Sequence, residues 1–227
     1  MTPHHHWAQS AAWSLDAALL ALDARAVIEA RAIRAQQEAA AEPLRSPSWG
    51  SRRALGGHGD PTGDALLTIG TARPNRYADL AADVQEQLHG VSHHLPGDSF
   101  NPLYRIREAL PAFSPGTAHA TWRLLDRLDG RVRRTRGLDI PSGRRHLVDV
   151  ACPVCAGRAL YVQTAGPESD WTVVCAGSWR DGRDNPCLCV GEGCPCGMDG
   201  AVEGVVHIWL RHVVLGAVAG AAPAGTK

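Results

Sequence analysis

The sequence predicts a mainly α protein, an N-terminal helical bundle followed by a small β-hairpin domain. Three observations carry this expectation. Apolar residues recur at steps of three and four through most of residues 1 to 140, all seven cysteines fall between Cys152 and Cys196, and two short alternating segments lie inside that cysteine-bearing stretch. The 227 residues accordingly divide into a long first helix (1–41), a loop or linker (42–59), a bundle continuing with the first helix (60–140), a cysteine-rich domain (148–212) and a flexible tail (213–227).

From Trp7 to about Ala41 the residues are strong helix formers, and Ala12, Leu15, Leu19, Leu22, Ala26, Ala30 and Ile33 share one face. Asp16, Asp23, Arg31, Arg34 and Glu38 mark the solvated side. The segment 42–59 is rich in Pro, Ser, Gly and Arg and has no apolar period, so it reads as a linker. Asp60 and Pro61 then suit an N-cap and a first helical position, opening a short helix to about Ile69. His58 and Asp60 need no chemistry beyond that capping.

Pro74 opens the next helix, with Tyr77, Leu80, Ala81, Val84 and Leu88 on one face and Gly90 loosening its end. Asn101-Pro102 is a second cap pair, starting a helix that Pro111 stops. The last helix begins near Thr117, buries Trp122, Leu125, Leu128 and Val132, and has Gly137 as its C-cap.

Cys152-Pro153-Val154-Cys155-Ala156-Gly157 has the spacing with which two thiolates reach one ion, Gly157 relieving the turn beneath them. Residues Ala159 to Gln163 and Trp171 to Cys175 form a hairpin that returns Cys175 to this knuckle, the plan of a zinc ribbon. Ser178 stands where a second CxxC would be completed, so the fourth ligand comes from further on, and Cys187 is the first available. Cys189, Cys194, Cys196 and His207 remain for a second site. Two Zn2+ ions use every cysteine, and one ion is the minimum. A competing register puts Cys194, Cys196, His207 and His212 on the second ion and leaves Cys187 or Cys189 spare. An odd number of cysteines suits disulfides poorly, and the spacings match none of the common iron–sulfur runs.

The run CLCVGEGCPCGMDGAVEGVVHIW, Cys187 to Trp209, preceded by CPVC and a short hairpin, resembles the tail of a family of uncharacterised proteins from actinobacteria and their phages. His58-Gly59-Asp60-Pro61-Thr62 and the helices after it are similar to that family's N-terminal part, so the likeness covers residues 55 to 210. It implies a helical domain joined to a zinc-ribbon-like domain in a phage or prophage setting, and no activity.

Net charge is zero, which removes any whole-chain electrostatic case for nucleic acid or membrane. The local exception is Arg131, Arg133, Arg134, Arg136, Arg144, Arg145 and His146, a basic stretch able to contact phosphates or to sit at a helix C-terminus as ordinary complementary charge. No signal peptide or membrane span is evident, and a cytoplasmic protein is expected, in the host cytoplasm if phage-encoded. Eight ligands fill two closed sites without a position for water, so the expected function is a non-enzymatic, zinc-binding adaptor or regulatory protein whose partner is a protein or a nucleic acid. A protein-interaction or assembly module with purely structural zinc is the alternative. A zinc-dependent hydrolase stands behind both, and neither a catalytic residue nor a small-molecule substrate is expected.

Overall fold

The computed structural model describes residues 1–41, 73–138, 140, 143–177, 187–198 and 202–220. The expected linker at 42–59, the short helix from Pro61 and the His58 and Asp60 capping site lie outside the described residues.

Helix α1, Pro3–Ala41, is the spine of the molecule. At 1.5 Å per residue it is about 58 Å long. It begins before Trp7 because Pro3 suits a first turn and the His5 ring ties that turn down. Nδ1 of His5 lies 3.0 Å from the Thr2 amide nitrogen, and Nε2 lies 2.9 Å from the Phe113 carbonyl oxygen. Ala12, Leu15, Leu19 and Leu22 are buried as their spacing predicts, with Ala8, Ala11 and Ala18 alongside. Beyond Ala26, Val27 and Ile28 are exposed, while Glu29 pairs with Arg73 at 2.9 Å.

Helix α2, Arg76–Ser92, is capped by Asn75, whose side chain accepts from the Ala78 amide. It buries Tyr77, Val84 and Leu88 and runs through Gly90 without ending there. Helix α3, Pro102–Ala109, is capped by Asn101, whose Oδ1 accepts from the Leu103 and Tyr104 amides at 2.9 and 3.2 Å. Pro111 converts its end into a 3-10 turn at Leu110–Ala112. Helix α4, Pro115–Arg133, starts earlier than Thr117 because Ser114 takes the cap position and Pro115 follows it. It ends on Arg134, not on Gly137. Gly137 instead has φ of 85°, and a Cβ there would come 2.7 Å from the Tyr77 hydroxyl, so glycine is required by a close approach after the helix.

The second layer is a four-stranded antiparallel sheet, β1 Arg144–His146, β2 Leu160–Gln163, β3 Thr172–Cys175 and β4 Ile208–Leu210, in the order β1-β2-β3-β4. The hairpin β2–β3 was expected, with Leu160 opposite Cys175 and Gln163 opposite Thr172. Strands β1 and β4 were not. β4 leads directly into α5, Arg211–Gly220, where a flexible tail from residue 213 was expected; Val214 is buried against the cysteine core, which gives that segment an apolar anchor.

Helix α1 joins the layers. Trp7 stacks on Trp122 of α4 with ring centroids 3.4 Å apart, and packs with Val205 and Ile208 in a small cluster of its own. One turn further along, the hairpin tip reaches α1. Gly166 has φ of 77° and so little room that a Cβ would lie 2.3 Å from Trp13 Cδ1, while the Trp13 and Gln9 side chains donate to Asp170 Oδ2. Among the described residues no helix is long and apolar enough to cross a membrane.

Candidate metal centre

Cys152 and Cys155 are held by a loop that closes on itself, the Cys152 amide donating to the Gly157 carbonyl at 2.8 Å and the Ala156 amide to the Cys152 carbonyl at 2.9 Å. The left-handed residue that makes this possible is Ala156, with φ of 55°, and not Gly157, which was expected to take the strain. Strand β3 ends in Cys175. The Cys187 amide donates to the Gly177 carbonyl at 2.7 Å, which seats Cys187 beside β3. Cys189 is placed by a reciprocal pair with the β4 side, its amide donating to the Val205 carbonyl and its carbonyl accepting from Gly204. Gly191, with φ of 83°, and Gly193, with φ of 82°, then turn the chain so that Cys194 and Cys196 come back over Cys189.

The outcome is two groups of four ligand atoms, Cys152, Cys155, Cys175 and Cys187 in the first centre and Cys189, Cys194, Cys196 and His207 in the second, the atoms of each within 4.8 Å of one another. Both groups are geometrically able to bind a metal ion. Tetrahedral ligation with metal–sulfur bonds of about 2.3 Å holds two sulfurs about 3.8 Å apart. The Sγ atoms of Cys155 and Cys175 are 3.8 Å apart, those of Cys189 and Cys196 4.0 Å, and Cys194 Sγ is 3.3 Å from His207 Nε2. A disulfide requires sulfurs about 2.05 Å apart, and all seven cysteines are free. His212 lies on the exposed face of α5 and belongs to neither group.

Backbone amides point at the sulfurs. Val154 N lies 3.4 Å from Cys152 Sγ, Gly177 N 3.4 Å from Cys175 Sγ and Gly191 N 3.3 Å from Cys189 Sγ, in each case two residues after the cysteine. These N–H groups stabilise negative charge on sulfur, as a centre of several thiolates needs.

As free thiols the ligands titrate unequally. The Cys175 thiol is pushed up, first by its hydrogen bond to Cys152 and then by burial. Cys152 gains from the same bond more than burial costs it, helped by the Cys155 and Val154 amides, and its pKa falls to about 5. Burial pushes Cys187 and Cys189 up and lifts Cys196 to about 12. At Cys194 burial acts in the same direction but is outweighed by the Val190 and Cys196 amides and by His207, and the pKa falls to about 6. Each centre therefore offers one ready thiolate to an incoming cation, and further protons leave as the shell closes.

His207 does more than spacing alone suggests. Its ring is fully enclosed, and while Nε2 faces Cys194, Nδ1 lies 3.2 Å from Cys187 Sγ in the other centre. Nothing in the spacing signals this second contact, because it depends on the pairing of β3 with β4, where the Cys175 amide donates to the His207 carbonyl at 3.1 Å.

The basic residues are divided by the fold. Arg131 pairs with Asp83, Arg144 with Asp126 at 2.7 Å, and Arg133 with Asp129 at 2.9 Å while also donating to Ser14. These three fasten elements to one another. Arg134, Arg136 and Arg145 are exposed, and the His146 ring nitrogen Nε2 lies 2.9 Å from the Arg158 carbonyl oxygen.

No known family, curated protein or solved structure matches the chain.

Proposed function

We propose that this chain is a non-enzymatic adaptor or regulatory protein of an actinobacterium or its phage, in which two structural Zn2+ ions fold a zinc-ribbon-like module onto a helical bundle. The observation that carries the reading is the closure of both ligand groups: four donors each, with sulfur predominating. Thiolate-rich tetrahedral sets suit zinc over magnesium, calcium or manganese, and a closed set leaves no position for the activated water of a hydrolase. Metal content of protein purified without chelator, measured by mass spectrometry, tests this. Two zinc ions per chain are expected; a chain that retains fewer than two overturns the reading.

The partner we favour is nucleic acid, contacted through phosphates by Arg134, Arg136 and Arg145, exposed members of the basic stretch that lie outside the ion pairs with Asp83, Asp126 and Asp129. Binding that weakens steeply between 50 and 200 mM salt, on the order of tenfold or more, and that falls in the triple Arg→Ala variant is the expected result. Absence of binding at low salt sinks it. A second reading, a protein-interaction module, rests on the exposed Val27 and Ile28 of α1. It predicts a larger hydrodynamic size in the presence of a partner, abolished by Ile28→Glu.

A further inference from the structure

The two centres are not independent pockets. Cys187 belongs to the first and Cys189 to the second, with a single residue between them, and one imidazole ring touches sulfur in both. A ring nitrogen that ligates a metal leaves the other nitrogen carrying the proton, and that N–H ordinarily finds a carboxylate, a carbonyl or water. Around His207 the group within reach of Nδ1 is the Cys187 sulfur, at 3.2 Å. The first centre already has its four thiolates, so Nδ1 has no place in that coordination shell and meets a ligand instead.

We propose that His207 couples the two centres: Nε2 ligates the ion of the second, and the Nδ1 proton is donated to the Cys187 thiolate of the first, so that filling either centre strengthens the other. This rests on the metal reading above.

The chemistry runs in both directions. A dication on Nε2 withdraws electron density from the ring and makes Nδ1–H a stronger donor, which suits a first centre whose four thiolates outweigh one dication by two charges. A thiolate held by an ion at Cys187 fixes the ring in the tautomer and orientation that present the Nε2 lone pair to the second centre. By linkage the two effects are one free energy, so an ion in the first centre must help the second as much as the second helps the first. The main chain reinforces the register, since the His207 carbonyl accepts from the amide of Cys175, another first-centre ligand. The module therefore passes between no ions and two, with little of the one-ion form, and behaves as a single metal-dependent unit.

The direct test is NMR of the full chain with 113Cd in both centres and 15N-labelled histidine. His207 is expected to show scalar coupling from Nε2 to one cadmium and, across the hydrogen bond, from a slowly exchanging Nδ1 proton to the other. Coupling to one cadmium only, with a rapidly exchanging Nδ1 proton, overturns the proposal. His207→Cys supplies a second measurement, because it keeps a fourth donor for the second centre and removes the donor to Cys187. Native mass spectrometry during chelator titration should pass from two zinc ions to none in the parent chain, with the one-ion form several-fold below its random expectation, and should accumulate that form in His207→Cys. Equal one-ion populations in the two proteins count against coupling through this ring. A chain holding fewer than two ions removes both this proposal and the metal reading, whereas two ions without the cross-coupling removes this proposal alone.

Discussion

The bundle and the cysteine-rich module achieve burial by different means. Among the described residues, the core under α1 is built from sixteen buried apolar residues, Ala8 to Val132, none of them a candidate ligand. In the module, six of the eleven buried core residues among those described are cysteines of the two ligand groups, joined by Leu160, Val162, Val173, Trp209 and Val214. The first core is held by apolar area removed from water. The second has few apolar side chains, and with ions in both centres as proposed their affinity would become its folding free energy.

Metal removal should therefore separate the two regions more than any other change. Binding free energies of structural zinc are about 10–16 kcal/mol, well above what a core of this composition supplies by itself. Treatment with a strong chelator is expected to erase the amide signals of β2, β3 and β4 while the helical circular dichroism of the bundle persists; simultaneous loss of both would show one cooperative unit joined through Trp7. Protons report the same event. Cys175, Cys187, Cys189 and Cys196 have raised pKa values, so all four carry protons at pH 7 and must release them on ligation. The sign follows: acidification favours the protonated thiols and expels metal, while at pH 7 reloading should release at least these four protons per chain, detectable with an indicator dye in weak buffer. Release of none would contradict thiolate ligation.

A smaller effect is expected in the bundle. Leu15 is fully buried at the centre of the α1 core, and Leu15→Ala should cost about 2–5 kcal/mol, seen as a fall in the denaturation midpoint of the helical signal. Metal content should stay unchanged, and zinc loss in this variant would mean that the bundle supports the centres. The smallest effect sharpens the local reading. Asn101 caps α3 through two amides, and Asn101→Ala should cost about 1 kcal/mol with no change in metal content.

Much of this was legible because the signals are local. Helix positions such as Leu15, Val84 and Leu125 declare themselves by a period of three to four, and Asn101-Pro102 by a cap next to a proline. The CxxC knuckle and hairpin likewise bring Cys152, Cys155 and Cys175 together within a short stretch of chain. Other features had weaker signals or none. The β4 residues Ile208 to Leu210, in a run of β-branched and aromatic side chains, could have been read as a strand, but β1 is Arg-Arg-His and exposed, with no alternation to find. No motif or spacing marks the histidines near the N-terminus as buried, yet His4 and His5 are enclosed where α1 meets the start of α4.

Residue type and spacing favoured one division of eight candidate ligands into fours, because a tetrahedral ion demands four and this division left no cysteine over, but a register through His212 stayed open until the fold brought the two groups together. They also determined the period of α1 and the hairpin. Only the tertiary structure decided that Arg131 pairs with Asp83 and Arg144 with Asp126, because those partners lie on other parts of the chain, whereas Asp129 stands one turn before Arg133 on the same helix. It alone decided that the His207 ring stands between the centres. That position follows from the pairing of β4 with β3, and strand register is a long-range property that no short run of sequence contains.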